Sequence, residues 1–290
     1  MNIVLSGSLG NIGRPLAKIL VQNGHSITVI SSKAERQTEI EALGAKAAIG
    51  SIEDGAFLVR AFHGADIVYL METLEAAGGF FNKDLDYLEA IDRIVHHYKQ
   101  AVLYAGIKKV IHLSSVGAHM NEGNGILKFH YNAENILRSL PEDVHIKFMR
   151  PVGFYTNMHS FIRTIKQLGI IVSNYGGDRK EPWVAPADIA QVIAEEIGKP
   201  FTGRSVRYIA SDEVSPNEIA QALGAAIGKP DLQWSVITDE ALQNGMIAAG
   251  MNPDIAKGFV AMQAAQGNGL LYEDYEQHKP AFGMVKLSDF

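Results

Sequence analysis

The 290-residue sequence contains no cysteine. Disulfides, thiolate metal sites and cysteine nucleophiles are therefore excluded, and a reducing, cytoplasmic setting is the expectation. An excess of positive charge is also missing: 32 acidic against 26 basic side chains leave a net charge of -6. Charge alone would hold neither a phosphate backbone nor an anionic membrane surface, so no nucleic-acid and no membrane partner is expected. Nowhere do about 18 apolar residues follow one another, and the opening "MNIVLSGSLG" lacks the basic residues and longer apolar run of a signal peptide. No G-x-S-x-G elbow follows a strand-like run, which removes the hydrolase nucleophile of that kind. His96 and His97 are adjacent and point about 100° apart on a helix, so they cannot ligate as an i, i+4 pair, and no metal site is predicted.

What is present is an alternation. Short β-branched runs, "NIVLSG", "SITVIS", "KAAIG", "DIVYLM", "KKVIHLSS" and "VHIKFMR", are separated by helix-period segments near 12–23, 35–43, 55–62, 83–105 and 128–139. That rhythm predicts an α/β fold, a Rossmann-type doubly wound parallel sheet over residues 1–150. Past Pro151 strands thin out to "SVRYIAS" and "QWSVIT" among helical stretches such as "ADIAQVIAEEIGK" and "DIAKGFVAMQAAQ". Residues 151–290 are read as a smaller, mainly helical substrate lobe, packed as one unit with the first part, with some crossover of the chain between them. The closing "HKPAFGMVKLSDF" is expected to lie over the surface.

In "GSLGNIG" Gly7, Gly10 and Gly13 have a G-x-x-G-x-x-G spacing between the first strand and the first helix. Residues without Cβ let the backbone turn tightly and approach a pyrophosphate, whose charge meets free amides at the helix N-terminus. The position at the head of a βαβ unit favours a dinucleotide loop over a plain turn. At the end of the second strand a carboxylate would bind the ribose hydroxyls of NAD, and a cation the 2′-phosphate of NADP. Here Ser31, Ser32 and Lys33 stand with Arg36 one turn on, so NADP(H) is favoured over NAD(H); the alternative is that the two cations are merely solvated. Met71, Thr73 and Ser115 follow the fourth and fifth strands, where doubly wound sheets bind ligands. Met262, Leu271, Tyr272 and Tyr275 are read as apolar core of the second lobe, with pocket lining as the alternative.

With the glycine loop, "LSSVGAH", "HYNAENIL" and "RPVGFYTNM" in view, the sequence resembles the NmrA-like atypical short-chain dehydrogenases/reductases, and within them the NADPH-dependent quinone reductase and triphenylmethane reductase group. The likeness covers essentially the whole chain. It implies a cofactor set of Gly7, Leu9, Gly10, Asn11, Ile12, Ser31, Ser32, Lys33, Ser51, Ile52, Met71, Thr73, Ser115, His130, Pro151, Gly153 and Phe154, a flat aromatic small-molecule acceptor, and a homodimer as one assembly open to it. Three departures stand out. Ser32 replaces the arginine that often meets the NADP phosphate, and Ser51 replaces an aspartate that reaches the adenine. The third concerns Tyr-x-x-x-Lys, in which lysine lowers the phenol pKa for proton transfer. Tyr131 and Asn135 have that spacing, with asparagine where the lysine should be; aligning instead on Glu134 and Arg150-Pro151 puts Ile126 at the tyrosine position and His130 at the lysine position.

On the helix, Phe129, Ala133, Ile136, Leu137 and Leu140 make a core-facing stripe, His130 and Glu134 lie on its flank, and Tyr131 and Asn135 point away. His130 is thus the candidate neighbour of nicotinamide or substrate and the candidate catalytic residue, able with water to protonate a reduced acceptor. Two functions fit: NAD(P)H-dependent reduction of a quinone-like or conjugated acceptor by direct hydride transfer, and a non-catalytic NADP-binding redox sensor of the NmrA type. A sugar-nucleotide epimerase is disfavoured by the missing Tyr-x-x-x-Lys.

Overall fold

The computed structural model describes residues 1–290. Its central sheet is built from β1 (Asn2–Leu5), β2 (Ser26–Ser31), β3 (Lys46–Ile49), β4 (Ile67–Leu70), β5 (Lys109–Leu113) and β6 (His145–Pro151). A seventh strand returns from the second half of the chain. After β7 (Gly153–Phe154), β8 (Ile171–Ser173) and β9 (Glu181–Val184), β10 (Arg204–Ile209) pairs in parallel with β6. The order is β10-β6-β5-β4-β1-β2-β3, all parallel, and it reverses direction between β1 and β4. That reversal opens a crevice outside the carboxyl ends of the two strands.

The period of two decides which residues face which layer. Ile3 and Leu5 point to one side with Ile27, Val29, Ile67 and Tyr69, while Val4, Ile30, Val68 and Leu70 point to the other. The first face is covered by α1 (Gly13–Gln22), through Leu16, Ala17 and Leu20, beside the short α2 (Gln37–Ala42). The opposite face is covered by α3 (Gly55–Phe62), α4 (Tyr87–Tyr104) and α5 (Lys128–Arg138), through side chains such as Phe62, Ile94, Tyr98 and Leu137. The helix expected from residue 83 starts four residues later, because the Asp86 side chain accepts from the Glu89 amide at 3.0 Å and caps it there. Similarly, the segment expected as helix from residue 35 opens with a 3-10 turn, Ala34–Arg36, before α2.

The second half adds α6 (Ile162–Leu168), α7 (Pro186–Ile197), β11 (Asp212–Val214), α8 (Pro216–Ala226), β12 (Trp234–Val236), α9 (Asp239–Ala248), α10 (Pro253–Asn268) and α11 (Glu273–Gln277). Of these, α7 packs through Ile189, Ile193 and Ile197 into the same core as α1, so both α7 and β10 complete the first layer system. Two small sheets lie beyond it, β11-β9-β7 and β12-β8. Because β7 follows β6 directly and pairs with β9, Trp183 is brought opposite Gly153 at the carboxyl edge of the main sheet. The last segment lies across this assembly: the Gly283 amide donates to the Ala210 carbonyl at 2.8 Å and the Val285 amide to Asp188 Oδ2 at 3.0 Å. No helix is long and apolar enough to cross a membrane.

Candidate active site

The glycine loop leaves β1 at the reversal point. Gly7 (φ 86°) and Ser8 (φ 57°) are both left-handed, and the strained serine is held by its amide on the Ile30 carbonyl at 3.1 Å and its hydroxyl on Ser31 Oγ at 2.9 Å. A Cβ at Gly13 would stand 2.1 Å from the Ser8 carbonyl oxygen, so only glycine lets α1 start this close to the strand. Gly10 differs. A Cβ there would meet nothing nearer than the Gly7 oxygen at 3.6 Å, and Gly10 and Asn11 are exposed at the rim. Leu9 and Ile12 are buried in the core, so their backbones alone are open to a ligand. No side chain caps α1 and no acid occupies its first turn, which leaves a positive helix terminus facing the crevice. This loop fits the pyrophosphate of a dinucleotide.

Ser31 is buried and turned back on its own loop, its Oγ accepting from the Lys33 amide at 3.2 Å, while Ser32 and Lys33 are exposed. Arg36 reaches back to the Leu9 carbonyl at 3.5 Å and to Glu39 at 3.1 Å. Arg14, which the sequence reading passed over, grips the same carboxylate from α1. Three cations thus border one side of the loop, and two of them are tied to a single acid. Ser51 and Ile52 lie after β3, with Ser51 Oγ accepting from the Glu53 amide at 3.1 Å and Ile52 packed against the core.

Met71 closes the crevice after β4. Its amide donates to Ser6 Oγ at 2.8 Å, its carbonyl accepts from the Tyr98 hydroxyl at 2.7 Å, and its sulfur fills the space where Gly7 has no Cβ. Thr73 is occupied in a turn, accepting from the Ala76 amide at 3.1 Å. Pro151 is inside β6 with its carbonyl taken by the Val116 amide, and the neighbouring Val152, Gly153 and Phe154 are the residues that reach the cleft.

That cleft, about 510 Å³, opens at the carboxyl ends of β5 and β6. Ser115, His130, Gly153 and Phe154 stand at its sheet end; Ile126, Trp183, Phe259, Met262 and Tyr272 wall it. Leu271 lines it too, whereas Tyr275 is fully buried in the core. Ile126, at the position of the absent tyrosine, presents a hydrocarbon where a phenol would stand. Burial pulls the His130 imidazole down to about 4, with the Glu72 carboxylate opposing and His112 reinforcing the shift, so the ring is neutral at neutral pH. Its Nδ1 has no partner within the protein.

Glu134 follows one turn later and is bound to Arg150. Arg150 donates to it bidentately, Nε to Oε1 and Nη2 to Oε2, both at 2.8 Å; Ser114 Oγ donates at 2.7 Å and Arg138 at 3.0 Å. Burial would raise this carboxyl, but the Arg150 guanidinium holds it below the usual range. Arg150 also reaches Tyr208 on β10 and Asp274 on α11, fastening α5, two strands and the C-terminal segment around the cleft. A second buried pair, His112 Nε2 with Glu72 at 3.0 Å, lies beneath the sheet end of the site; neither residue stood out in the sequence, because each reads as an ordinary polar residue at a strand terminus.

The NmrA-like family model matches residues 1–281. This chain belongs to the NmrA-like family. Solved structures of similar shape include a nucleoside-diphosphate-sugar epimerase from Staphylococcus aureus (15% identity, 98% of each chain covered, TM-score 0.79). Another is an Escherichia coli NADPH-dependent quinone oxidoreductase complexed with NADPH (17% identity, 99% of this chain and 97% of that one, TM-score 0.79). A third is the Citrobacter sp. triphenylmethane reductase complexed with NADP(H) (18% identity, 100% and 98%, TM-score 0.73). At these identities the likeness shows the Rossmann-like fold. Among curated proteins none matches the sequence.

Proposed function

We propose that this NmrA-like protein is an NADPH-dependent reductase that passes hydride directly to a flat, conjugated acceptor of the quinone type. The observation that carries the reading is the cleft: an aromatic and aliphatic slot whose sheet end is formed by Ser115, His130, Gly153 and Phe154, beside the crevice that the glycine loop enters. A bound reduced nicotinamide dinucleotide would supply the hydride. The protein's own part is to hold and to exclude. The loop from Gly7 to Gly13 and the uncapped end of α1 would receive the pyrophosphate, and Lys33, together with Arg14 and Arg36 in competition with Glu39, would favour a phosphorylated ribose. Ser115 and neutral His130 flank the reacting end, and the apolar walls stack the acceptor and keep water away, so that orientation supplies much of the rate. Ile126 offers no acid at the nicotinamide end, which suits a conjugated acceptor whose negative charge moves away from the carbon that takes hydride better than a ketone whose alkoxide needs a proton there. The quinone oxidoreductase and the dye reductase, crystallised with NADPH and NADP(H), support both the cofactor and the acceptor class.

The experiment is a fluorescence titration with NADPH and NADH followed by addition of a benzoquinone while the reduced-nicotinamide absorbance is followed. The expected result is tighter binding of NADPH and steady loss of absorbance. Binding without turnover across several quinones would replace the reductase with the sensor reading.

A further inference from the structure

With His130 neutral and Ile126 in place of a phenol, the sheet end of the cleft offers no strong acid. Behind another of its walls lies a buried carboxyl. Glu181 on β9 is 3% exposed, forms no ion pair, and shares a strand face with Trp183, which walls the cleft. Tyr175, another wall residue, places its hydroxyl 3.1 Å from Glu181 Oε1. The ring is well fixed: its backbone carbonyl accepts from Trp234 Nε1 at 2.5 Å, the indole packs edge-on against it, and Gly267 lets it lie against α10, where a Cβ would come within 2.4 Å of Tyr175 Cβ. Beside the pair, Glu181, Tyr175, Arg179 and Gln266 border a void of about 10 Å³, room for roughly one water molecule.

We infer that Tyr175 and Glu181 form the proton-delivering pair of the cleft: the Tyr175 hydroxyl protonates the reduced acceptor, and Glu181 restores the proton to Tyr175. The inference rests on the reductase reading. The acceptor takes hydride from the reduced dinucleotide at an electrophilic carbon, its conjugated π electrons move onto a carbonyl oxygen, and that oxyanion takes the Tyr175 proton. Burial and the neighbouring Glu181 hold the Tyr175 phenol well above its ordinary pKa, so Glu181 passes its own proton to the tyrosine oxygen in the same step and no tyrosinate is left; Glu181 then regains a proton from water, and each turnover consumes one hydride and one solvent proton and leaves the oxidised dinucleotide.

The surroundings suit a carboxyl that carries a proton at neutral pH. Burial pushes Glu181 up to about 7, offset in part by the nearby Gln266 amide and the hydrogen bond from Tyr175. The titratable groups facing it are Tyr175 and Arg179 from the β8–β9 connection and Tyr272 from the turn after α10. Arg179 spends its guanidinium on the Gly267 carbonyl at 3.3 Å, and on α8 Glu218 is paired outward with Lys180. Tyr175 would touch the acceptor and is the catalytic residue of the pair; Glu181 acts through it.

The test compares wild type, Glu181→Gln, Glu181→Asp and Tyr175→Phe in NADPH oxidation with a benzoquinone from pH 5 to 9, together with NADPH affinity by fluorescence and the infrared carboxylic-acid band of Glu181. The expected wild-type kcat falls above about pH 7, with the carboxylic-acid band disappearing over the same range. Glu181→Gln loses the band and the pH step and slows kcat by about 10²-fold, the lower end of general-acid effects; Tyr175→Phe slows it equally, Glu181→Asp restores part of it, and NADPH affinity is unchanged in all three. Turnover in Glu181→Gln with the wild-type rate and pH profile would overturn the pair while leaving the reductase intact. No wild-type turnover with any quinone, with the band still present, would overturn the reductase reading and the proton-delivery role with it, leaving a buried structural acid.

Discussion

Glu39 stands between two arginines at the mouth of the glycine loop, and this one carboxylate sets a specific expectation for cofactor choice. Arg14 and Arg36 are both spent on it, so a ribose phosphate would have to compete with an acid already in place. Arg36→Ala is expected to weaken NADPH binding by about tenfold, close to 1.4 kcal/mol, while barely changing NADH binding; Glu39→Gln is expected to tighten NADPH and not NADH. Fluorescence titration of both cofactors checks each. Equal loss for the two cofactors in Arg36→Ala would mean that the arginines serve the loop and not the phosphate. Lys33 and Arg36 were visible in the sequence because they follow a strand in register. Arg14 was not, since nothing in "GNIGRPL" tells that its side chain folds back toward a neighbouring helix.

Glu181 carries a second residue-scale expectation, in stability. Its folded pKa of about 7 lies above the ordinary 4.5, so the folded state binds the proton more tightly than the unfolded one. Stability from this group is therefore full below about pH 4.5 and is lost as the pH rises through 7, on the order of 3 kcal/mol in total. Thermal melts should show Glu181→Gln more stable than wild type at pH 8.5 and nearly equal to it at pH 5. A constant difference at both pH values would contradict the shifted carboxyl. Nothing in "RKEPWVA" announces this residue: a glutamate before a proline reads as a loop, and its place in β9 depends on pairing with β11, where Val214 stands opposite it about thirty residues later in the chain.

At the scale of elements, α5 decides the geometry of the site. It presents His130 to the cleft and, one turn on, anchors itself through Glu134 to Arg150 on β6. The apolar stripe was legible in the sequence: Phe129, Ala133 and Leu137 are buried, and Asn135 is exposed. What periodicity could not supply was the partner of Glu134, which lies sixteen residues away on a strand. Removing one half of such a buried pair leaves an unpaired charge, so Glu134→Ala is expected to cost about 3–5 kcal/mol in a denaturant titration. Glu134→Gln should cost less, since it leaves Arg150 with Asp274 and a neutral acceptor. A loss below about 1 kcal/mol for Glu134→Ala would mean that the network is not what fixes α5. The seven-strand order was similarly half legible: six strands came from their β-branched runs, while the place of "SVRYIAS" beside β6 depended on a crossover through the second half of the chain.

On the scale of the whole molecule, the chain leaves its main sheet, builds one wall of a cleft, returns as α7 and β10, and leaves again to build the other wall from α10 and the turn behind it. A hydride acceptor in that cleft would lie between a dinucleotide crevice at the sheet edge and the wall that carries the Tyr175–Glu181 pair. The direct test is the rate of nicotinamide oxidation by a benzoquinone with NADPH carrying deuterium at C4, on each face in turn, against unlabelled NADPH. Direct transfer in a single orientation predicts that one labelled face slows the reaction under single-turnover conditions and the other does not. Consumption insensitive to either label, or no consumption at all despite tight NADPH binding, would contradict hydride transfer as the function of this site.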